Sequence, residues 1–185
     1  MNQPAPPALS ANSPSAATRI TPVKGLLVLA AVVVFVATYL LLNHALGLTE
    51  SWAGFLFLVC WAVSVLNPAK LAECAVGAFV GVLVAYAMQT LPPVLGMGAY
   101  VPILGVILAM VYCQIMGWLT VLVNLTTMTF LTIASMPLVQ AHVSFPNLFA
   151  TLALGIAYFA GLVLVGHWFA RQAAARQGTA PSAGH

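Results

Sequence analysis

The sequence predicts an all-α, polytopic membrane protein with six transmembrane helices. Of its 185 residues, 63% are apolar and only 4% are charged, whereas soluble domains average about 45–50% and about 25%. Several apolar segments approach or exceed the roughly 20 residues that a membrane-spanning helix needs. So few charges cannot cover a water-exposed surface, which excludes a cytosolic enzyme, a disulfide-stapled secreted domain and a nucleic-acid binder.

Six apolar segments fit between two polar tails. Residues 1–22 and 171–185 are rich in Pro, Ser, Ala and Gly and predict disordered cytoplasmic tails. Between them, residues 23–170 form the transmembrane domain. The apolar run around Gly117 is too long for one crossing, so we expect a tight hairpin there. The predicted spans are Val23–Ala45, Ser51–Leu66, Ala69–Leu91, Val101–Met116, Leu119–Met136 and Asn147–Phe169.

The basic residues predict the orientation. With six spans, every Lys and Arg lies on one side of the membrane: Arg19, Lys24, Lys70, Arg171 and Arg176. Cytoplasmic loops carry the excess of positive charge, so both termini are expected in the cytoplasm. The first apolar segment exceeds the 7–15 residues of a signal-peptide core, so we expect a retained helix.

Small residues at four-residue spacing predict close helix contacts, because lipid gives no hydrophobic drive for helix association. Span three carries Gly77 and Gly81, span four carries Gly105 and Ala109, and span six carries Gly161. The spacing leaves open whether these contacts form within one protomer or between protomers. We expect a homo-oligomer in the lipid bilayer.

Spans three and six also share a pattern that predicts a 3+3 inverted repeat. Each opens the third helix of a three-helix half, and an odd number of spans per half turns one half upside down. The alternative is coincidence in an Ala-rich chain. The matched positions are Pro68, Ala72, Ala75 and Gly77 with Pro146, Ala150, Ala153 and Gly155.

Span five is the most polar span. On an ideal helix, Thr120, Asn124, Thr127 and Ser135 fall on one stripe, and Gln114 on span four is an expected partner. An amide inside the membrane is costly unless it bonds another helix or lines a wet path. The stripe therefore predicts either the lining of a solute path or a set of interhelical hydrogen bonds.

Glu73 is the one acid well inside a span, three residues after Lys70. An ionisable group within the membrane predicts a functional site, here a cytoplasmic mouth that handles a proton or cation. The alternative is an interfacial ion pair, in which Lys70 extends to the headgroups.

The sequence offers little for catalysis. The chain contains no Asp, so a Ser–His–Asp set cannot form, and no Gly-Lys-Ser/Thr loop is present for nucleotides. The three Cys lie on different spans, and the His residues are dispersed. We therefore expect no enzyme, no cofactor and no metal.

Two short motifs invite comparison with known families. Asn67-Pro68-Ala69 matches the aquaporin Asn-Pro-Ala box, but the segment that follows is long enough for only one span and no half-helix. We interpret Asn67 as an N-cap and Pro68 as a first-turn proline.

The same step continues as Pro68-Ala69-Lys70 before a Gly-x-x-x-Gly helix. In a small six-span chain, this arrangement resembles the YcdZ-like bacterial inner-membrane proteins, a family of unknown function, over about residues 23–170. The resemblance implies the bacterial inner membrane and brings no binding residues with it. A fainter likeness links the chain to the membrane half of fusaric-acid and aromatic-acid exporters, whose soluble domain this chain lacks.

These patterns predict a channel or secondary transporter for a small neutral or weakly charged solute. The alternative is a non-transporting membrane subunit or stabiliser that binds a partner through its Gly/Ala-rich faces. A continuous polar cavity touching Asn124 would favour transport, whereas a solid core with an exposed Gly/Ala face would favour the partner role.

Overall fold

The computed structural model describes residues 22–178, and within that range every regular element is helical, as predicted. Residues 1–21 and 179–185, most of the two predicted tails, lie outside the described residues. The last helix continues to Gly178, into the segment expected to be a disordered tail. The helices are α1 (Pro22–Ala45), α2 (Trp52–Ala62), α3 (Leu71–Leu95), α4 (Tyr100–Met116), α5 (Leu125–Ala134), α6 (Pro137–His142) and α7 (Phe145–Gly178). Short 3₁₀ turns, Pro68–Lys70 and Gly96–Ala99, precede α3 and α4.

Within the described residues, three segments are long and apolar enough to cross a membrane: Gly25–Ala45, Pro68–Met116 and Phe145–Gln172. The chain is therefore a membrane protein. In contrast, α2 has 11 residues and α5 has 10, which gives lengths of about 16 and 15 Å. Each covers only about half of a hydrocarbon core roughly 30 Å thick.

The chain divides after Thr38 into two compact units. In the first unit, the described residues form one helix with apolar, exposed side chains such as Leu26 and Val34. The Thr38 hydroxyl donates a hydrogen bond to the Val34 carbonyl at 2.8 Å. This polar side chain is therefore satisfied by its own helix, as a lipid-facing helix requires.

In the second unit, two helix pairs cross at glycines. Gly77 and Gly81 of α3 face α5, and a Cβ atom on Gly81 would lie 2.5 Å from the Thr127 carbonyl oxygen. Gly155 of α7 faces α2, and a Cβ atom there would lie 2.5 Å from the Gly54 Cα. These distances are below van der Waals contact, so only glycine permits these crossings.

The prediction of a continuous helix over Leu119–Met136 is wrong, because α5 is helical only over Leu125–Ala134. Gly117 takes a left-handed conformation (φ +66°) and ends α4, where the Trp118 N–H donates to the Cys113 carbonyl at 2.9 Å. This is the bonding of a Schellman end. The chain thus turns at Gly117, but it runs irregularly from there to α5, so the predicted tight hairpin between α4 and α5 is not formed.

Helix α3 continues past the predicted end at Leu91 to Leu95, through Pro92 and Pro93. The fixed φ of proline suits a helix, so the prolines remove N–H donors without ending the last turn. Gly96 (φ +68°) then turns the chain into α4. The two helices lie side by side, since residues of both line one apolar groove of about 350 Å³: Leu83, Val84, Ala87, Leu91, Pro102, Ile103 and Val106.

Helix α2 ends at Ala62, short of the predicted Leu66. Val65 (φ +55°) and Leu66 (φ +51°) both take the left-handed conformation, which non-glycine residues rarely adopt. The chain re-enters a helix at Asn67, whose side chain accepts a hydrogen bond from the Ala69 N–H at 3.0 Å. Asn67 is therefore the predicted N-cap, with Pro68 in the first turn.

Candidate solute site

The Asn124 amide is the N-cap of α5. Its Oδ1 atom accepts from the Thr127 N–H at 3.1 Å, and the Thr127 hydroxyl in turn accepts from the Asn124 N–H at 3.2 Å. This reciprocal arrangement is a capping box, which satisfies two of the orphan donors at a helix start. The same amide donates to the Glu73 carbonyl at 2.8 Å and to the Thr120 carbonyl at 3.1 Å.

Gly77 of α3 provides the room for this box. A Cβ atom on Gly77 would lie 2.5 Å from the Asn124 Oδ1 atom and 2.7 Å from the Thr127 hydroxyl. The polar start of α5 therefore sits in a notch of α3, and the amide ties the two helices together. The amide therefore makes one interhelical hydrogen bond, to α3, and one local bond, to Thr120, and together these occupy both of its N–H donors.

Beside this junction lies a cavity of about 180 Å³, formed where α2 ends and where α3 and α5 begin. Drug-sized ligands occupy pockets of roughly 300–1,000 Å³, so this space suits a much smaller molecule. Its polar lining comprises Ser64, Lys70, Glu73, Asn124 and Thr126, and the thiol-bearing residues Cys60 and Cys74 also line it.

Lys70 and Glu73 form an ion pair at the edge of the cavity. The Lys70 Nζ atom lies 2.9 and 2.8 Å from the two carboxylate oxygens of Glu73. The side chains are 50% and 27% exposed, so the pair is solvated rather than sealed in the core. The cation and the anion cancel, and the cavity lining is therefore neutral overall.

The other predicted path residues are not gathered at this cavity. Thr120 is exposed in the irregular segment before α5. Ser135 lies at the far end of α5, where its hydroxyl donates to the Thr132 carbonyl at 3.1 Å. The side chain of Gln114 is exposed, and the Asn124 bonds do not include it. The predicted stripe is broken because Asn124 starts the helix instead of continuing it.

The small residues divide into two groups. Gly77 and Gly81 lie in tight contacts with α5, whereas nothing approaches within 4 Å of a Cβ atom placed on Gly105 or Gly161. Ala109, one turn after Gly105, is also exposed. The small-residue face of α4 is thus open in the second unit.

Sequence reasoning missed Ser64, Cys60, Cys74 and Thr126 as cavity residues. Ser64 follows α2 in a segment whose two next residues are left-handed, a conformation that Val and Leu do not signal. Within the described residues, no group of three or more His, Cys, Asp or Glu side chains is placed to hold a metal ion.

Between the cavity and the opposite end of the bundle, the core of the second unit is solid. Phe57, Trp61, Phe130, Leu148 and Leu152 are fully buried. In the part of the chain that the structure describes, the cavity therefore opens toward one end only, and the polar path touching Asn124 is not continuous.

Comparison with known proteins gave no match: no family model matches the chain, and neither a curated protein nor a solved structure is similar to it. The resemblance to YcdZ-like proteins stays a prediction from sequence.

Proposed function

We propose that the protein is a secondary transporter that carries a small neutral or weakly charged solute across the bacterial inner membrane. The observation that carries the proposal is the small cavity at the junction of α2, α3 and α5, which is lined in part by an ion pair and uncharged polar side chains and is closed off by a solid apolar core. A cavity accessible from one end is what a carrier presents to its solute on one side of the membrane.

Six crossings fit the positions of the helices. Helices α1, α3, α4 and α7 supply four long segments, and α2 and α5 supply two short ones that irregular chain completes. Such broken spans are tolerated where the irregular backbone is buried or lines a cavity. Segments 63–67 and 117–124 both border the cavity end of the unit. With both termini in the cytoplasm, that end faces the cytoplasm, together with Lys70.

An inverted repeat is supported by contacts that correspond in pairs. Gly77 of α3 packs against Thr127 of α5, and Gly155 of α7 packs against Gly54 of α2. The sequence match between spans three and six already pairs Gly77 with Gly155. The N-cap positions of α2 and α5, Ser51 and Asn124, align Gly54 with Thr127. If α3 is exchanged with α7 and α5 with α2, the α3–α5 contact therefore corresponds to the α7–α2 contact.

The buried residues of α2 and α5 correspond in the same way. The offset that aligns Gly54 with Thr127 also aligns Phe57 with Phe130 and Trp61 with Ala134, all fully buried. Because the corresponding buried faces make corresponding contacts, each half can adopt the conformation of the other around a central core. This is the structural basis of alternating access in inverted-repeat transporters.

The strain beside Ser64 also fits a working site. Left-handed Val65 and Leu66 cost on the order of 1–3 kcal/mol each, and such backbone is concentrated at functional sites and switch regions. The strained turn positions Ser64 at the cavity, where a rearrangement of two residues would open or close it.

Substitution of Ser64 tests the proposal without disturbing the Asn124 cap. Ser64→Leu fills the cavity, and Val59→Leu, which enlarges a side chain on the exposed face of α2, is the control. Solute entry into proteoliposomes is followed by stopped-flow light scattering with urea and glycerol gradients and by an uptake screen of other small solutes. Ser64→Leu should reduce the flux at least tenfold, with Val59→Leu at the wild-type rate. Equal flux through all three proteins would contradict the assignment.

The open face around Gly105 and Ala109 favours a second function, that of a membrane subunit that binds a partner. Small residues with no neighbour permit another helix to approach closely. A native mass measurement in detergent distinguishes the outcomes: Gly105→Leu should break a homo-oligomer that uses this face, and an unchanged mass would argue against it.

A further inference from the structure

Two polar side chains that each carry an unpaired atom are buried at the end of the second unit opposite the cavity. The Asn43 amide nitrogen donates to the Tyr39 carbonyl at 2.8 Å, which leaves the amide oxygen. Asn43 is 2% exposed and Thr151 is fully buried. Among the residues that the structure describes, the Asn43 Oδ1 atom and the Thr151 hydroxyl have no hydrogen-bond partner. Buried polar groups are nearly always paired, so two such atoms in one region call for a partner that this conformation does not supply.

The two groups lie at the same level of the bundle. One turn away from Thr151 on α7, Gly155 faces the Tyr39 hydroxyl, with a Cβ-to-oxygen distance of 3.3 Å. One turn the other way, Asn147 donates to the Thr49 hydroxyl at 3.5 Å. Along the chain, Asn43 comes between Tyr39 and Thr49. Asn43 and Thr151 therefore both lie between the same two contacts, the one at Gly155 and the one at Asn147.

The inverted repeat relates this region to the cavity. The offset that matches Gly77 with Gly155 also matches Glu73 with Thr151. Glu73 borders the cavity and accepts the Asn124 amide through its carbonyl. The matched position therefore borders the cavity at one end of the bundle, as Glu73, and is fully buried at the other end, as Thr151.

We propose, resting on the transport function above, that Asn43 and Thr151 form the outer binding position for the transported solute, closed in this conformation. The chemistry at this position selects the class of solute. The Asn43 oxygen accepts a hydrogen bond, and the Thr151 hydroxyl both donates and accepts. The nearest acid along the chain, Glu50, is engaged by Trp52 and Thr49. The solute is therefore a small uncharged molecule that both donates and accepts hydrogen bonds.

Cysteine labelling tests whether the outer position opens. In a protein whose Cys60, Cys74 and Cys113 are replaced, Thr151→Cys and Leu152→Cys introduce one thiol each at neighbouring, fully buried positions. A small membrane-impermeant methanethiosulfonate reagent is added outside sealed vesicles. Thr151→Cys should react at least tenfold faster than Leu152→Cys, and Asn43→Cys should react as Thr151→Cys does. Equally slow reaction at all three positions would overturn the outer position.

A flux measurement tests the class of solute. Thr151→Val removes only the hydroxyl, and Thr132→Val is the matched control, because the Thr132 hydroxyl is exposed and bonds its own helix. With urea and glycerol as probes, Thr151→Val should reduce flux at least tenfold and Thr132→Val should preserve it. Labelling without flux of either probe would refute the solute class alone. Flux that depends on Ser64 but not on Thr151 would uphold transport and refute the outer position.

Discussion

Alanine at Gly81 should separate α3 from α5. The new Cβ atom would lie 2.5 Å from the Thr127 carbonyl oxygen, 2.9 Å from the Phe130 Cβ atom and 3.0 Å from the Leu131 nitrogen. Two of these atoms are backbone, so no rotamer change relieves the overlap, and α5 must move by roughly 1 Å to restore ordinary contact. Overpacking of this kind costs about 1–3 kcal/mol.

Gly105→Ala is the matched control, because nothing lies within 4 Å of its Cβ position. Both changes gain the same helix propensity, up to about 1 kcal/mol in water, so the difference between the two variants isolates the steric term. Thermal unfolding in detergent, followed by tryptophan fluorescence, measures that difference. At roughly 2–4 °C per kcal/mol for a chain of this size, Gly81→Ala should melt several degrees below Gly105→Ala. Equal melting temperatures would refute the tight crossing.

The same melting assay checks three further expectations. Gly155→Ala places its Cβ atom 2.5 Å from the α2 backbone and should melt below Gly161→Ala, whose Cβ position is open; the reverse order would mean a loose α2–α7 crossing. Asn124→Leu removes the cap and its interhelical bonds and should lose about 2–3 kcal/mol, while Asn124→Ser, which can still cap, should fall between it and the wild type. A Leu variant as stable as the Ser variant would show that the cap contributes nothing. Lys70→Met breaks a solvated ion pair and should change the stability by less than about 1 kcal/mol; a larger loss would mean that the pair is shielded from solvent.

Sequence patterns reach part of this architecture. The four-residue spacing of Gly77 and Gly81 identified the face of α3 that meets another helix, because a helix returns to the same face after one turn. The α2–α7 crossing has no such signal on α2, since Gly54 has no small residue four positions away on either side. Gly155 is one of the four positions that match between spans three and six, and this match indicated only indirectly that its face of α7 contacts another helix.

Span five shows why the site was harder to predict. Hydropathy treats 119–136 as one apolar segment, but Asn124 and Thr127 are spaced as an N-cap and its third helical residue. A side chain that can cap a helix start can equally sit on a helix stripe, so composition alone does not separate the two interpretations. Ser64 was missed because its position depends on left-handed Val65 and Leu66, and that backbone conformation results from tertiary packing rather than local preference.

The proposed transport function depends most on six crossings that place both irregular segments, 63–67 and 117–124, on the cytoplasmic side. Single cysteines at four exposed positions test this topology directly: Leu46, Val65 and Leu119 between helices, and Leu138 in α6. In right-side-out vesicles of a variant without the native cysteines, an impermeant maleimide should label Leu46→Cys and Leu138→Cys at once. It should label Val65→Cys and Leu119→Cys only after the membrane is permeabilised. Labelling of either of the latter two in sealed vesicles would contradict the topology and the cytoplasmic position of the cavity.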